Sequence, residues 1–257
     1  MPDVVLTEVA DRIATVTMNR PDARNALNRE LRHALSSALG ALDQDPDVDV
    51  VVLTGADPAF CAGIDLKEMG SSGGQAAGDR APRARGPFPA MTKPVIGAVN
   101  GVAVTGGLEV ALSCSFLVAS ERAHFADTHA RVGVMPAWGS RTVSPQAIGL
   151  RRAREMSISG NFVGAGDALA WGLVNHVVPH EDLLPTARRL AADIAGNDQP
   201  AVRRLLETYD AVHAGAVEEG RDVETRMASE WRDRSFDPAE VARRRDAIMA
   251  RGRSQSS

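Results

Sequence analysis

Residues Val48 to Thr54 form a nearly continuous β-branched run. A strand that is apolar at every position has no face it can give to water, so it must be covered on both sides. Such strands belong to parallel sheets flanked by helices, and this run limits the chain to α/β architectures. Val95 to Val99 is a second buried strand, and Phe116 to Ala119 a third. Between and around them the apolar period changes to that of a helix: Leu31, Leu35, Leu39 and Leu42 recur at helical spacing, with Asn28 placed to cap them. Upstream, Val4 to Val9 and Ile13 to Met18 are separated by Ala10-Asp11-Arg12 and predict a hairpin.

Further along, the spacing predicts a helix over Ala147 to Ser157 with its arginines outward, a short helix over Ala165 to Ala170, and a last strand from Leu173 to Val178. From His180 on, the chain is helical. Leu183, Ala187, Leu190 and Ile194 share a face, and Pro200 sits where a helix tolerates it, in the first turn. These features divide the chain into an α/β core over 1–195 and a helical region over 196–257 that docks or oligomerises, with the final SQSS expected to be disordered. Gly70 to Gly86, rich in Gly, Ser, Ala and Arg, cannot bury much and is either a surface loop or a flap beside a pocket.

Composition excludes several functions. The net charge of −4 over 257 residues leaves no electrostatic footprint for nucleic acid. Cys61 and Cys114 have neither metal-ligand nor redox spacing, which fits a reducing cytoplasm. The first residues carry acids instead of an apolar leader segment, and no run of about 18 apolar residues is present to cross a membrane. Gly101 to Gly107 has the glycine spacing of a phosphate loop but lacks the Lys-Ser/Thr that follows it. There is no G-x-S-x-G elbow, and the histidines do not fall at zinc spacing, so no metal site is expected.

The chemistry is concentrated in Lys93 to Ser113, where the strand Val95–Val99 turns at Asn100-Gly101 and a helix opens at Gly106-Gly107. Peptide N–H groups at a helix N-terminus are unpaired and partially positive, which suits a developing oxyanion. Glu109 lies in that first turn, either as a proton-transfer group beside those donors or as a solvated acid favouring the helix end.

Two segments taken together, Phe60-Cys61-Ala62-Gly63-Ile64-Asp65-Leu66-Lys67-Glu68-Met69 and Asn100-Gly101-Val102-Ala103-Val104-Thr105-Gly106-Gly107-Leu108-Glu109, closely resemble the paired signatures of the enoyl-CoA hydratase/isomerase (crotonase) superfamily. Asn19-Arg20-Pro21 with Asn25-Ala26-Leu27, Lys93-Pro94-Val95, and Ser159-Gly160 with Ala170-Trp171-Gly172-Leu173-Val174 agree in order and spacing. The resemblance covers about Val5 to Arg245. It implies a spiral of repeated ββα units with a C-terminal helical trimerisation region, assembled as a homotrimer or a dimer of trimers. It also implies an acyl-CoA thioester substrate, with coenzyme A entering as part of the substrate and no prosthetic group. The thioester carbonyl is then held by the peptide N–H groups of Ile64 and Gly106, and Glu109 matches the first of the two hydratase glutamates. His129 stands at the position of the second, with Asp127 two residues away as a partner to orient its ring. Trp138, in Ala137-Trp138-Gly139-Ser140, replaces small residues and either reshapes the acyl pocket or packs. For coenzyme A, the resemblance points to Ala62, Asp65 and Leu66 on the adenine side and to Lys67 and Arg24 as phosphate contacts.

The implied activity is that of a 2-enoyl-CoA hydratase. The same bound enolate serves isomerases, hydrolases and decarboxylases, and loss of the second glutamate fits a non-catalytic acyl-CoA-binding trimer.

Overall fold

The computed structural model describes residues 3–71, 86–136, 138–235 and 238–255. The chain opens with β1 (Val5–Ala10) and β2 (Ile13–Met18), an antiparallel pair closed by Asp11 and Arg12, both at positive φ. Helix α1 (Arg29–Gln44) follows. Asn28 Oδ1 accepts the Leu31 N–H at 2.9 Å, and the four spaced leucines are all buried.

Three strand pairs then repeat one pattern. β3 (Val50–Gly55), β5 (Val95–Val99) and β7 (Phe116–Ser120) join β1, β2 and β10 (His176–Val178) in a six-stranded sheet ordered β1-β2-β3-β5-β7-β10. Their successors β4 (Ala59–Cys61), β6 (Val102–Val104) and β8 (His124–Ala126) join β9 (Val163–Gly164) in a second sheet ordered β4-β6-β8-β9. A helix follows each pair: α2 (Leu66–Ser71), α3 (Gly106–Leu112) and α4 (His129–Val132). Each turn of the chain thus adds one strand to each sheet and one helix, the expected ββα spiral.

All six residues of β3 and all five of β5 are buried. On one face of the large sheet Leu31, Leu35 and Leu39 of α1 pack with Val51, Leu53, Val95 and Val99. On the other, Leu183, Ala187 and Ala191 of α8 (Leu183–Ala195) cover Val50, Val52, Ile96 and Val118. Two covered faces explain why these strands show no alternation.

Several sequence expectations are corrected. β4, between Gly55 and Met69, was not anticipated from any apolar period. β6 was also unanticipated: a three-residue strand is too short to show a period. The helix expected over Ala147 to Ser157 is two helices, α5 (Ser140–Ile148) and α6 (Leu150–Ser159), broken at Gly149, whose φ is +78°. Helix α7 (Ala165–Trp171) is where it was expected, but only His176–Val178 of the last predicted strand is extended. The tail is one 37-residue helix, α9 (Gln199–Ser235), with Pro200 in its first turn, then α10 (Pro238–Gln255). Because α10 runs through Gln255, the segment expected to be disordered is helical at its start. The flap considered for Gly70 to Gly86 falls outside the described residues except at its two ends.

Candidate active site

The two signature segments meet at glycines. A Cβ on Gly107 would lie 2.0 Å from the Cys61 carbonyl oxygen, and one on Gly63 2.4 Å from Thr105 Oγ1 and 2.7 Å from the Val104 oxygen. Any larger residue at either point would force the loops apart. Asn25, fully buried at φ +55°, anchors the neighbouring turn by donating from Nδ2 to the carbonyls of Ala56 (2.8 Å) and Ala59 (2.6 Å).

That anchored turn places Leu27 beside Ile64. The Leu27 N–H donates to the Gly63 carbonyl at 2.7 Å, and the Leu27 carbonyl accepts from Asp65 N–H at 3.2 Å. In a parallel bridge the residue between those two partners turns its own N–H to the opposite side. The Ile64 N–H therefore faces away from Leu27. Gly106 is the first residue of α3, where N–H groups have no intrahelical partner; the first backbone bond there runs from Glu109 N–H to the Thr105 carbonyl at 3.0 Å. Thr105 holds φ +51°, an uncommon conformation for a β-branched residue, pinned by its N–H to the Ala126 carbonyl at 2.9 Å. A Cβ on Gly106 would lie 3.6 Å from Ile64 Cδ1, so the Ile64 side chain packs against the start of α3.

Glu109 is 3 % exposed. The reading of it as a solvated acid is thereby overturned. Burial, above all, pushes its carboxyl up to about 7; the charges of Glu224 and Asp127 add to the rise, while His129 and the Trp138 N–H oppose it. Trp138 N–H donates to Glu109 Oε1 at 3.1 Å, and His129 Nε2 lies 3.8 Å from Glu109 Oε2.

His129 is buried and opens α4, beyond the end of β8. The expected partnership with Asp127 exists, but not through strand alternation. Asp127 Oδ1 caps α4 by accepting the His129 peptide N–H at 3.2 Å, and it meets His129 Nδ1 at 2.6 Å. Its other oxygen takes the Ser157 hydroxyl at 2.7 Å and the Arg141 guanidinium. Burial works against the Asp127 charge, yet His129, Arg141 and Ser157 outweigh it and hold the carboxyl well below the usual carboxylate range. An ionised Asp127 fixes the proton on Nδ1 and leaves Nε2 facing Glu109.

These groups open on a cavity of about 2140 Å³. Eight of the nine predicted site residues line it: Arg24, Ala62, Ile64, Asp65, Leu66, Lys67, Glu109 and His129. Gly106, the ninth, lies behind Leu27, Ile64 and Trp138. Arg24 and Lys67 are exposed on the rim. The Ala62 N–H is taken by the Arg24 carbonyl at 3.0 Å, and the Asp65 carboxylate pairs with Arg20 at 3.2 Å while accepting the Lys67 N–H at 3.1 Å. Trp138 lines the cavity and packs against the core.

Sequence reasoning missed Arg141, Ser157 and Glu224, which meet the site from α5, α6 and α9. It also missed the tail's share of the wall, including Thr225, Trp231, Ile248 and Met249. None has a local signal, since each arrives from more than ten residues away along the chain. Among the described residues no cluster of three or more His, Cys, Asp or Glu side chains is arranged to hold a metal.

A family model described as enoyl-CoA hydratase/isomerase matches residues 8–237. The chain is 40 % identical over 218 residues to a probable peroxisomal enoyl-CoA hydratase of Arabidopsis thaliana, covering 81 % of each protein. It is 34 % identical to a crotonyl-CoA hydratase of Syntrophomonas wolfei, over 77 % of this chain and 78 % of that protein. Among solved structures, an enoyl-CoA hydratase of Mycobacterium smegmatis superimposes with a TM-score of 0.81 at 51 % identity, over 89 % of this chain and 97 % of that one.

Proposed function

The chain belongs to the enoyl-CoA hydratase/isomerase family, and within it we propose that this protein adds water across the double bond of 2-enoyl-CoA thioesters to give 3-hydroxyacyl-CoA. The observation that carries this reading is the buried pair Glu109 and His129, 3.8 Å apart on the cavity wall, with Glu109 in the first turn of α3. The N–H groups of Ile64 and Gly106 bind the thioester oxygen and stabilise the enolate, a contribution of about 3 kcal/mol per donor in comparable holes. The Glu109 carboxylate takes a proton from water as its oxygen bonds to C3. Protonated His129 gives the C2 proton from Nε2, held in place by Asp127. The proton then on Glu109 returns to His129 through a water that enters between them as product leaves, since 3.8 Å is too long for direct transfer, and the site is restored.

Coenzyme A lies along Ala62, Asp65 and Leu66, with Arg24 and Lys67 placed for its phosphates and no prosthetic group required. The chain folds as an α/β core over 1–195 with an oligomerising helical region over 196–257. An exposed apolar stripe on α9, Leu205, Tyr209 and Val212, supports a homotrimer or dimer of trimers. Two unpaired cysteines support a cytoplasmic setting, and no described helix is long and apolar enough to cross a membrane.

The test is hydration of a panel of 2-enoyl-CoA thioesters of increasing chain length, with products identified by mass spectrometry. We expect turnover to 3-hydroxyacyl-CoA, reduced about 100-fold in kcat by His129→Ala. Tight binding of the thioesters without hydration at any chain length would replace this reading with that of a non-catalytic binding trimer. Full activity in His129→Ala would remove the histidine from proton transfer.

A further inference from the structure

Glu224 is a second buried carboxylate close to Glu109, and the reaction just described makes no use of it. It lies on tail helix α9, is 5 % exposed and is absent from the cavity wall. It faces the N-terminus of α5, where the peptide N–H groups of Gly139 and Arg141 ease the burial of its charge. Its Oε2 also lies 3.5 Å from Thr142 Oγ1, whereas Oε1 is buried without a well-aligned donor. An acid beside a helix start is favoured by the helix dipole.

The segment Glu224 holds is the one that serves the site from behind. Trp138 gives its N–H to Glu109, and Arg141 gives its guanidinium to Asp127. Gly139, between them, is at φ +96°, a conformation that glycine adopts without steric cost. Close approach of α9 is built in at Gly220, where a Cβ would lie 2.8 Å from Thr142 Cγ2.

We propose that Glu224 is a positioning residue for the hydration, tying the tail helix to the 138–141 loop that orients both Glu109 and the Asp127–His129 pair. The proposal rests on the hydratase reading for its kinetic consequence, but not for its structural one. The charged or titratable groups facing Glu109 are His129, Asp127 and Glu224, and those facing Glu224 are Arg141, His129 and Glu109, with Arg221 beside Gly139.

The experiment compares Glu224→Ala and Glu224→Gln with the parent in the full-length protein. It reads kcat and KM on crotonyl-CoA, binding of the saturated butyryl-CoA, and the Glu109 carboxyl titration by ¹³C NMR, assigned with Glu109→Gln. For Glu224→Ala we expect kcat to fall at least tenfold, with KM and butyryl-CoA affinity within about twofold of the parent. Glu224→Gln, which keeps an acceptor for the loop N–H groups, falls between the two. Removing the Glu224 charge moves the Glu109 titration to lower pH in both variants. A fall in melting temperature alone, with kcat and the Glu109 titration at parental values, overturns the proposal. If the parent hydrates no enoyl-CoA, the hydratase reading fails while the NMR titration still decides the role of Glu224.

Discussion

The six-stranded and four-stranded sheets are built from alternate strands of the same spiral, yet they are held together by different physics. Strands of the large sheet run mostly five or six residues, and the inner ones, β2, β3, β5 and β7, are buried between apolar side chains of α1 and α8, while the edge strand β1 is largely exposed. Strands of the small sheet are two or three residues long. Their junctions depend on backbone-to-backbone approach at glycines and on buried polar groups, Asn25, Thr105, Glu109, Asp127 and His129 among them. Apolar contacts are non-directional and absorb small changes, whereas a backbone junction with no room for a Cβ and a buried carboxylate absorb few. Stability resides mainly in the first sheet, and the reacting geometry in the second.

Gly107→Ala probes this contrast with the largest expected effect. The new methyl would overlap the Cys61 carbonyl, and the only relief is to separate the loops that carry Ile64 and Gly106. Loss of one oxyanion donor alone lowers kcat by about 100- to 1000-fold, and displacing both should exceed that. Circular dichroism and enoyl-CoA turnover measure the two consequences separately. A folded Gly107→Ala protein with parental kcat would mean that the glycine junction does not set the hole.

Glu109→Gln sharpens the comparison by moving activity and stability in opposite directions. A carboxyl raised from 4.5 to about 7 on folding binds more protons in the folded than in the unfolded chain between those values. Stability therefore falls as pH rises through that window, and the loss is complete above it. Glutamine keeps an acceptor for the Trp138 N–H but carries no charge to bury. At pH 8 the variant should be more stable by up to about 3 kcal/mol, with no gain at pH 4, while kcat drops about 1000-fold or more. Urea denaturation at the two pH values checks the sign. A variant less stable at pH 8 would show that the ionised Glu109 is better solvated than its burial implies.

The same division governs what could be read from the sequence. Val48 to Thr54, the leucines of α1 and the Asn28 cap announce themselves because a period or a cap is a local property, and the large sheet follows from them. β4 and β6 carry no period, so these two strands of the small sheet were invisible to pattern and entered only through the family resemblance. Ile64, Gly106 and Glu109 were legible as a motif. His129 was legible as a departure from one, and Asp127 as its neighbour, although the capping geometry that joins them was not. Arg141, Ser157 and Glu224 come from later helices, and a contact between distant segments leaves no trace in either segment alone.

Glycine substitution also gives the smallest test, because the argument from close approach must fail where nothing approaches. Gly166 lies in α7, exposed, with no atom within 4 Å of where its Cβ would be and with no positive φ. Alanine there loses no contact and removes conformational freedom from the unfolded chain, so Gly166→Ala should stabilise by about 0.5–1 kcal/mol. Its kcat should equal that of the parent, because α7 packs on β8, β9 and β10 and contributes no residue to the cavity wall. One methyl is then harmless in α7 and disabling at Gly107, and the two differ in a single respect, the carbonyl that stands in its way. Loss of stability in Gly166→Ala, measured by urea denaturation, would mean that α7 needs its glycine for a packing partner, and that a clear space around a glycine does not predict tolerance in this fold.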